Sequence, residues 1–96
     1  MITFDRNKKV HEQITEEIWC KGKMFTRSYP STTRIEKACV VGWIDQVYGH
    51  DGRDAYERKL QKEVRKNGRF YWVPDWNDSP ETKFEDVMRV LKKLDI

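Results

Sequence analysis

Ala38-Cys39-Val40-Val41-Gly42-Trp43-Ile44 is a run of seven residues with no charged side chain among them. A helix that is apolar nearly all round is buried on more than one side, so this run predicts the centre of the domain. Upstream, Ser31, Thr32 and Thr33 offer N-cap oxygens, and Thr33 with Glu36 has capping-box spacing, so the helix is expected to begin there. Downstream, Gly49-His50-Asp51-Gly52 combines two glycines with a fresh N-cap in Asp51, which predicts a stop near Tyr48.

Outward from this centre, Ile2-Thr3-Phe4 alternates as a short strand does, and Val10, Ile14 and Ile18 recur every four residues up to Gly22, predicting a first helix. Lys23 to Tyr29 reads as a strand or an ordered loop ending at Pro30. After Asp51 a further helix carries Tyr56, Leu60 and Val64 on a narrow stripe and ends at Asn67-Gly68. Arg69-Phe70-Tyr71-Trp72-Val73, short, aromatic and closed by Pro74, reads as a strand. Asp75 to Asp78 then reads as a loop. Ser79-Pro80 opens a last helix with Phe84, Val87, Met88, Leu91 and Leu94 on one face. The expected fold class is α+β: four helices with a small two- or three-stranded sheet, in one compact domain spanning residues 1–96.

Only three leucines and two alanines are present, against four tryptophans, so buried rings must supply much of the stability. Charged residues form 36% of the chain, yet aromatic and β-branched residues recur throughout, which favours folding over disorder. Cys20 and Cys39 are too few for a disulfide framework or a four-cysteine zinc site and suit a reducing cytoplasm, each as a small buried hydrophobe. The charged N-terminus and the lack of a long apolar run favour neither secretion nor membrane insertion. No glycine-rich phosphate loop is present, and no cofactor or metal site is expected.

Charge is distributed unevenly. From Arg53 to Arg69 seven cations face three anions, a surplus larger than the net +3 of the whole chain, and Asp75 to Asp86 reverses the sign with five acids against Lys83. Arg58, Lys62 and Arg65 are spaced to share one helix face, with Arg69 just beyond. The plain alternative is that both segments are solvated faces whose charges pair internally, as Asp54 and Arg58 would at four residues apart. Otherwise Arg53, Arg58, Lys59, Lys62, Arg65, Lys66 and Arg69 form a surface for RNA or DNA phosphates, and Tyr71, outward-facing if Phe70 and Trp72 face the core, is the candidate for base stacking.

The element order resembles a winged helix, with Lys23–Tyr29 and Arg69–Val73 as its strands and the helix after Asp51 as the recognition helix. That resemblance implies duplex binding in a major groove, although the helix offers Gln61 and Asn67 as its only amide readers. Pro74-Asp75 and Glu81-Thr82-Lys83 resemble the metal-binding elements of restriction-type nucleases, which would imply a divalent cation between Asp75 and Glu81. His50, beside Asp51 and Arg53, is the other candidate for catalysis, as a general base of a small nuclease. A partner of a different class is a basic protein that meets Trp76, Asp75 and Asp78. In that role the chain is similar in character to inhibitor or adaptor proteins of phages and mobile elements.

Overall fold

The apolar run does lie at the centre of the molecule, but it joins the next segment in one long element. The computed structural model describes residues 2–27, 34–66 and 68–96. Its longest element, α1, is Val40–Arg65, followed by α2, Val73–Asp78, and α3, Phe84–Leu94. Two strands, β1 (Phe25–Arg27) and β2 (Ile35–Ala38), pair antiparallel, Phe25 opposite Ala38 and Thr26 opposite Lys37. A single hydrophobic cluster holds these elements, and the radius of gyration of 12.7 Å is close to the ~12.5 Å expected of a compact chain this long.

Among the described residues there are three α-helical elements rather than the four helices expected, and the sheet has two strands. The residues expected to form a first helix instead make two short 3₁₀ turns, Val10–Glu12 and Glu16–Ile18, separated by the extended backbone of Thr15. The Gln13 side chain holds this arrangement: Oε1 accepts from the Asp5 N–H, and Nε2 donates back to the Asp5 and Lys8 carbonyls. Val10 and Ile14 are buried all the same, so their spacing reports burial and not helix. Ile2–Phe4 is not a strand; Ile2 N–H donates to the Ile35 carbonyl as an isolated bond.

Helix α1 starts later than expected, because Ile35–Ala38 is taken up as β2. The expected N-caps Ser31, Thr32 and Thr33 lie outside the described residues. Cys39 caps α1 instead, its Sγ accepting from the Gly42 N–H at 3.4 Å. Gly42 is required here, since a Cβ would fall 2.6 Å from the Met24 carbonyl oxygen, where the β1 segment crosses the helix. At Gly49 the backbone leaves helical geometry (φ 76°, ψ 174°) where the glycine pair predicted a stop, yet the helix resumes at once. The two expected helices are therefore both present and run on through the break at Gly49 as the one element α1. The buried Asp45 carboxylate spans it, with Arg53 Nη1 at 3.6 Å and His50 Nδ1 at 2.9 Å, the latter poorly aligned for a hydrogen bond.

The aromatic run is not a strand either. Arg69 to Trp72 is irregular and Val73–Asp78, of which Asp75 to Asp78 was expected as loop, is helical, with Pro74 in the first turn. With no strand after α1 among the described residues, the winged-helix expectation is overturned. Val73 and Trp76, three residues apart, are buried, so α2 packs by its own helical stripe.

Asn77 sits between Trp76 and Asp78 with no exposed surface. Its Oδ1 accepts from Trp19 Nε1 at 2.8 Å and from the Val40 N–H at 3.1 Å. Its Nδ2 donates to the Cys20 carbonyl at 3.0 Å and to Asp78 Oδ1 at 2.9 Å, and Asp78 Oδ1 also accepts from the Gly22 N–H. Trp19 and Val40 can only donate, so the amide has one orientation. Lys21 adds a second tie, donating to the Ser79 and Thr82 carbonyls, each at 2.6 Å. Burial pushes the neighbouring Cys20 thiol up to about 11 and raises that of Cys39, consistent with apolar packing roles.

Across the α1–α3 seam, Lys93 and Lys66 both reach Glu63 and hold its carboxyl below the usual range.

Unfolding measurements test the Asn77 bridge and the Glu63 pairs. Asn77→Ala leaves the Val40 N–H and the Cys20 carbonyl buried without partners and should cost about 3 kcal/mol or more in urea unfolding; a loss below about 1 kcal/mol would contradict the bridging role. Because the Glu63 pKa is lowered on folding, its stabilisation is complete above about pH 4.3 and is lost as pH falls through the folded value. Glu63→Gln should therefore lower stability near pH 7 and flatten its decline in acid, as measured by thermal melts across pH.

Candidate nucleic-acid interface

The second half of α1 is oriented by Leu60 and Val64, both buried. Arg58 and Lys62 each lie two residues from Leu60, slightly more than half a turn, and so point away from the core with Arg65 beside them. Arg58 and Lys62 are exposed and make no ion pair or hydrogen bond among the described residues; the expected Asp54–Arg58 pair does not form.

The other expected cations are engaged elsewhere. Arg53 turns inward to Asp45 and Glu57, Lys66 pairs with Glu63 at 3.0 Å, and Arg69 pairs with Glu81. Lys59 stands 5.6 Å above the Tyr56 ring, on the flank of the helix. A cleft of about 520 Å³ between the end of α1 and α3 is lined by Lys66, Arg69 and Lys93, but each of these is paired within the molecule, the two lysines sharing Glu63 and Arg69 meeting Glu81. Of the expected cations, Arg58 and Lys62 on the outer stripe are therefore the ones free of carboxylate and ring partners among the described residues, and not those in this cleft.

Tyr71 is exposed as expected, at 59%, but so is Trp72, at 52%, which strand alternation had placed in the core. They are the two exposed large hydrophobic side chains among the described residues. Their rings meet edge to face with centroids 4.7 Å apart. Arg65 lays its guanidinium 3.7 Å from the Tyr71 centroid and 5.6 Å from that of Trp72, while its Nε donates to the Tyr71 carbonyl at 2.9 Å. The ring exposures hold with Arg65 in place, so one cation organises two rings, covering one face of Tyr71 and leaving much of both exposed. Trp72 was missed because its segment is not a strand. Pro74, favoured in the first turn of a helix, was the available signal that a helix begins behind it.

The expected acidic interface does not keep its anchor, since Trp76 is only 7% exposed and belongs to the core. Phe84, at the start of α3, faces Trp19, with centroids 5.8 Å apart. Asp78 is committed to Gly22 and Asn77, Glu81 to Arg69, and Asp86 to the first turn of α3, where Oδ2 accepts from the Lys83 N–H at 2.9 Å and the carboxyl is held below its usual range. Asp75 remains on the surface. Asp75 and Glu81 lie in helix and turn and not on a core strand, and no group of three or more His, Cys, Asp or Glu able to hold a metal occurs among the described residues. His50 faces Asp45 rather than Asp51, and its side chain is 88% exposed.

No helix is long and apolar enough to cross a membrane among the described residues. No curated protein and no solved structure matches the chain. Residues 8–94, nearly the whole sequence and every helix and strand of the fold, match the family of unknown function DUF6197, and the chain belongs to that family.

Proposed function

We propose that this protein is a non-enzymatic, cytoplasmic module that binds single-stranded RNA or DNA, with Tyr71 and Trp72 stacking bases and Arg58, Lys62 and Arg65 meeting phosphates. The observation that carries this reading is the exposed Tyr71–Trp72 pair held by Arg65 next to unpaired cations. Large rings left half in water have a high apolar cost unless something covers them, and a base covers a ring while its phosphate meets the neighbouring charge. The outer stripe is one helix turn after another of positive charge, so it follows a backbone. It carries no amide side chain among Arg58, Lys62 and Arg65 with which to read base edges. An unstacked strand fits this surface better than a duplex, whose bases cannot reach the rings.

The test is fluorescence anisotropy with labelled single-stranded RNA, single-stranded DNA and duplex DNA. Trp72→Ala should weaken single-strand binding by about 1–3 kcal/mol, roughly 5- to 150-fold, without lowering thermal stability. Arg58→Ala with Lys62→Ala should weaken it further and reduce its salt dependence. Equal affinity of all variants would overturn the proposal, and tighter binding to duplex than to single strands would overturn the stacking assignment.

A further inference from the structure

On the far side of Lys59 from the outer stripe lies a groove of about 400 Å³, lined by Arg6, Lys8, Lys9, Tyr48, Tyr56 and Lys59 among others. Its floor is the stacked pair Tyr48 and Tyr56, with ring centroids 4.0 Å apart and planes within 26° of parallel. The Tyr48 hydroxyl is committed to the Ile96 carbonyl at 2.6 Å, so this floor is fixed.

Two acids also line the groove, and both are hydrogen-bonded within the molecule. Asp95 is paired with Lys9 and lies 3.5 Å from His11 Nε2, and Glu12 Oε1 accepts from the Lys9 N–H at 2.8 Å. Arg6 and Lys8 are exposed with no carboxylate partner among the described residues, and Lys59 rests on the Tyr56 ring. Three cations without acid partners therefore converge on one aromatic-floored groove. Lys59 is three residues from Lys62, so the two are neighbours on the α1 surface and Lys59 joins the groove to the outer stripe.

We propose that the groove is a second phosphate contact for the same single strand, which runs from Tyr71–Trp72 over Arg65, Lys62 and Arg58 to Lys59, Arg6 and Lys8. This rests on the single-strand binding proposed above and extends it: the footprint is longer than the aromatic pair alone can cover. Arg65 and Lys59 are six residues apart, about 9 Å along the helix, so the stripe itself spans only a short length of backbone.

The double variant Arg6→Ala/Lys8→Ala tests it, with binding measured against salt for labelled oligothymidylates of about 5 and about 16 nucleotides, a range of single-strand site sizes. Both side chains are exposed, so an unchanged thermal midpoint is expected. On the long oligomer the slope of log affinity against log salt should become shallower by about 1.4, the value for two lost phosphate contacts on a single strand, with affinity on the short oligomer unchanged. Trp72→Ala in parallel should weaken both lengths and leave both slopes as they were. An unchanged slope on the long oligomer, or an equal loss on both lengths, overturns the groove contact while the aromatic site stands. Failure of the unmodified protein to bind either oligomer overturns both.

Discussion

The buried amide of Asn77 is the constraint on which the rest of the molecule depends. It uses its whole hydrogen-bonding capacity on four partners from three parts of the chain: the Trp19–Cys20 segment, the first turn of α1 and its own neighbour in α2. A buried amide is costly unless every donor and acceptor is met, so these segments must meet in one arrangement or not at all. The bond from the Val40 N–H also satisfies one of the free donors at the start of α1, where Cys39 supplies only a weak sulfur cap. In a small domain with few leucines, such a bridge selects one packing of large rings over its alternatives.

The candidate interface is a consequence of that packing. Asn77, Trp76 and Val73 fix α2 against the core, and the chain entering α2 must then approach from the surface. Tyr71 and Trp72 stand in that approach, two residues and one residue before the buried Val73, so the same anchoring that buries one tryptophan exposes the other. Arg65 at the end of α1 meets them there. Sorting of the cations obeys the same geometry: those facing α3, the kink or the 79–82 turn find carboxylates, and those opposite Leu60 do not.

Several features were legible in the residues themselves. The one-sided stripe of Phe84, Val87, Met88, Leu91 and Leu94 is α3, although the helix begins at Phe84 and not at Ser79-Pro80, where its start was expected; the run around Val40 is buried on all sides, and both patterns are strong and local. The glycine pair marked the break at Gly49, since a positive φ favours glycine at that position. Whether a helix ends or merely bends at such a glycine depends on contacts made across the break. Here Asp45, reaching over it toward Arg53, belongs to the bend. The first expected helix failed for a related reason: apolar residues every four positions report which side chains are buried, and in this chain turns held by Gln13 deliver the same burial.

The α+β class, the apolar centre, the buried stripe of the last helix, the excess of cations after Asp51 and the presence of rings beside them could all be read along the chain, because composition and periodicity act over short distances. Only the tertiary structure decided which cations lack partners and which tryptophan is exposed. Arg58 and Arg69 are indistinguishable as charges in the sequence, yet one faces water and the other Glu81. Trp72 and Trp76 are four residues apart, yet Val73, which anchors α2 between them, and the Asn77 amide set one ring outside and the other within. Pairing and burial are properties of distance in space, and the local pattern that suggested a strand carried no information about the remote partners, Trp19, Cys20 and Val40, that made this segment a helix.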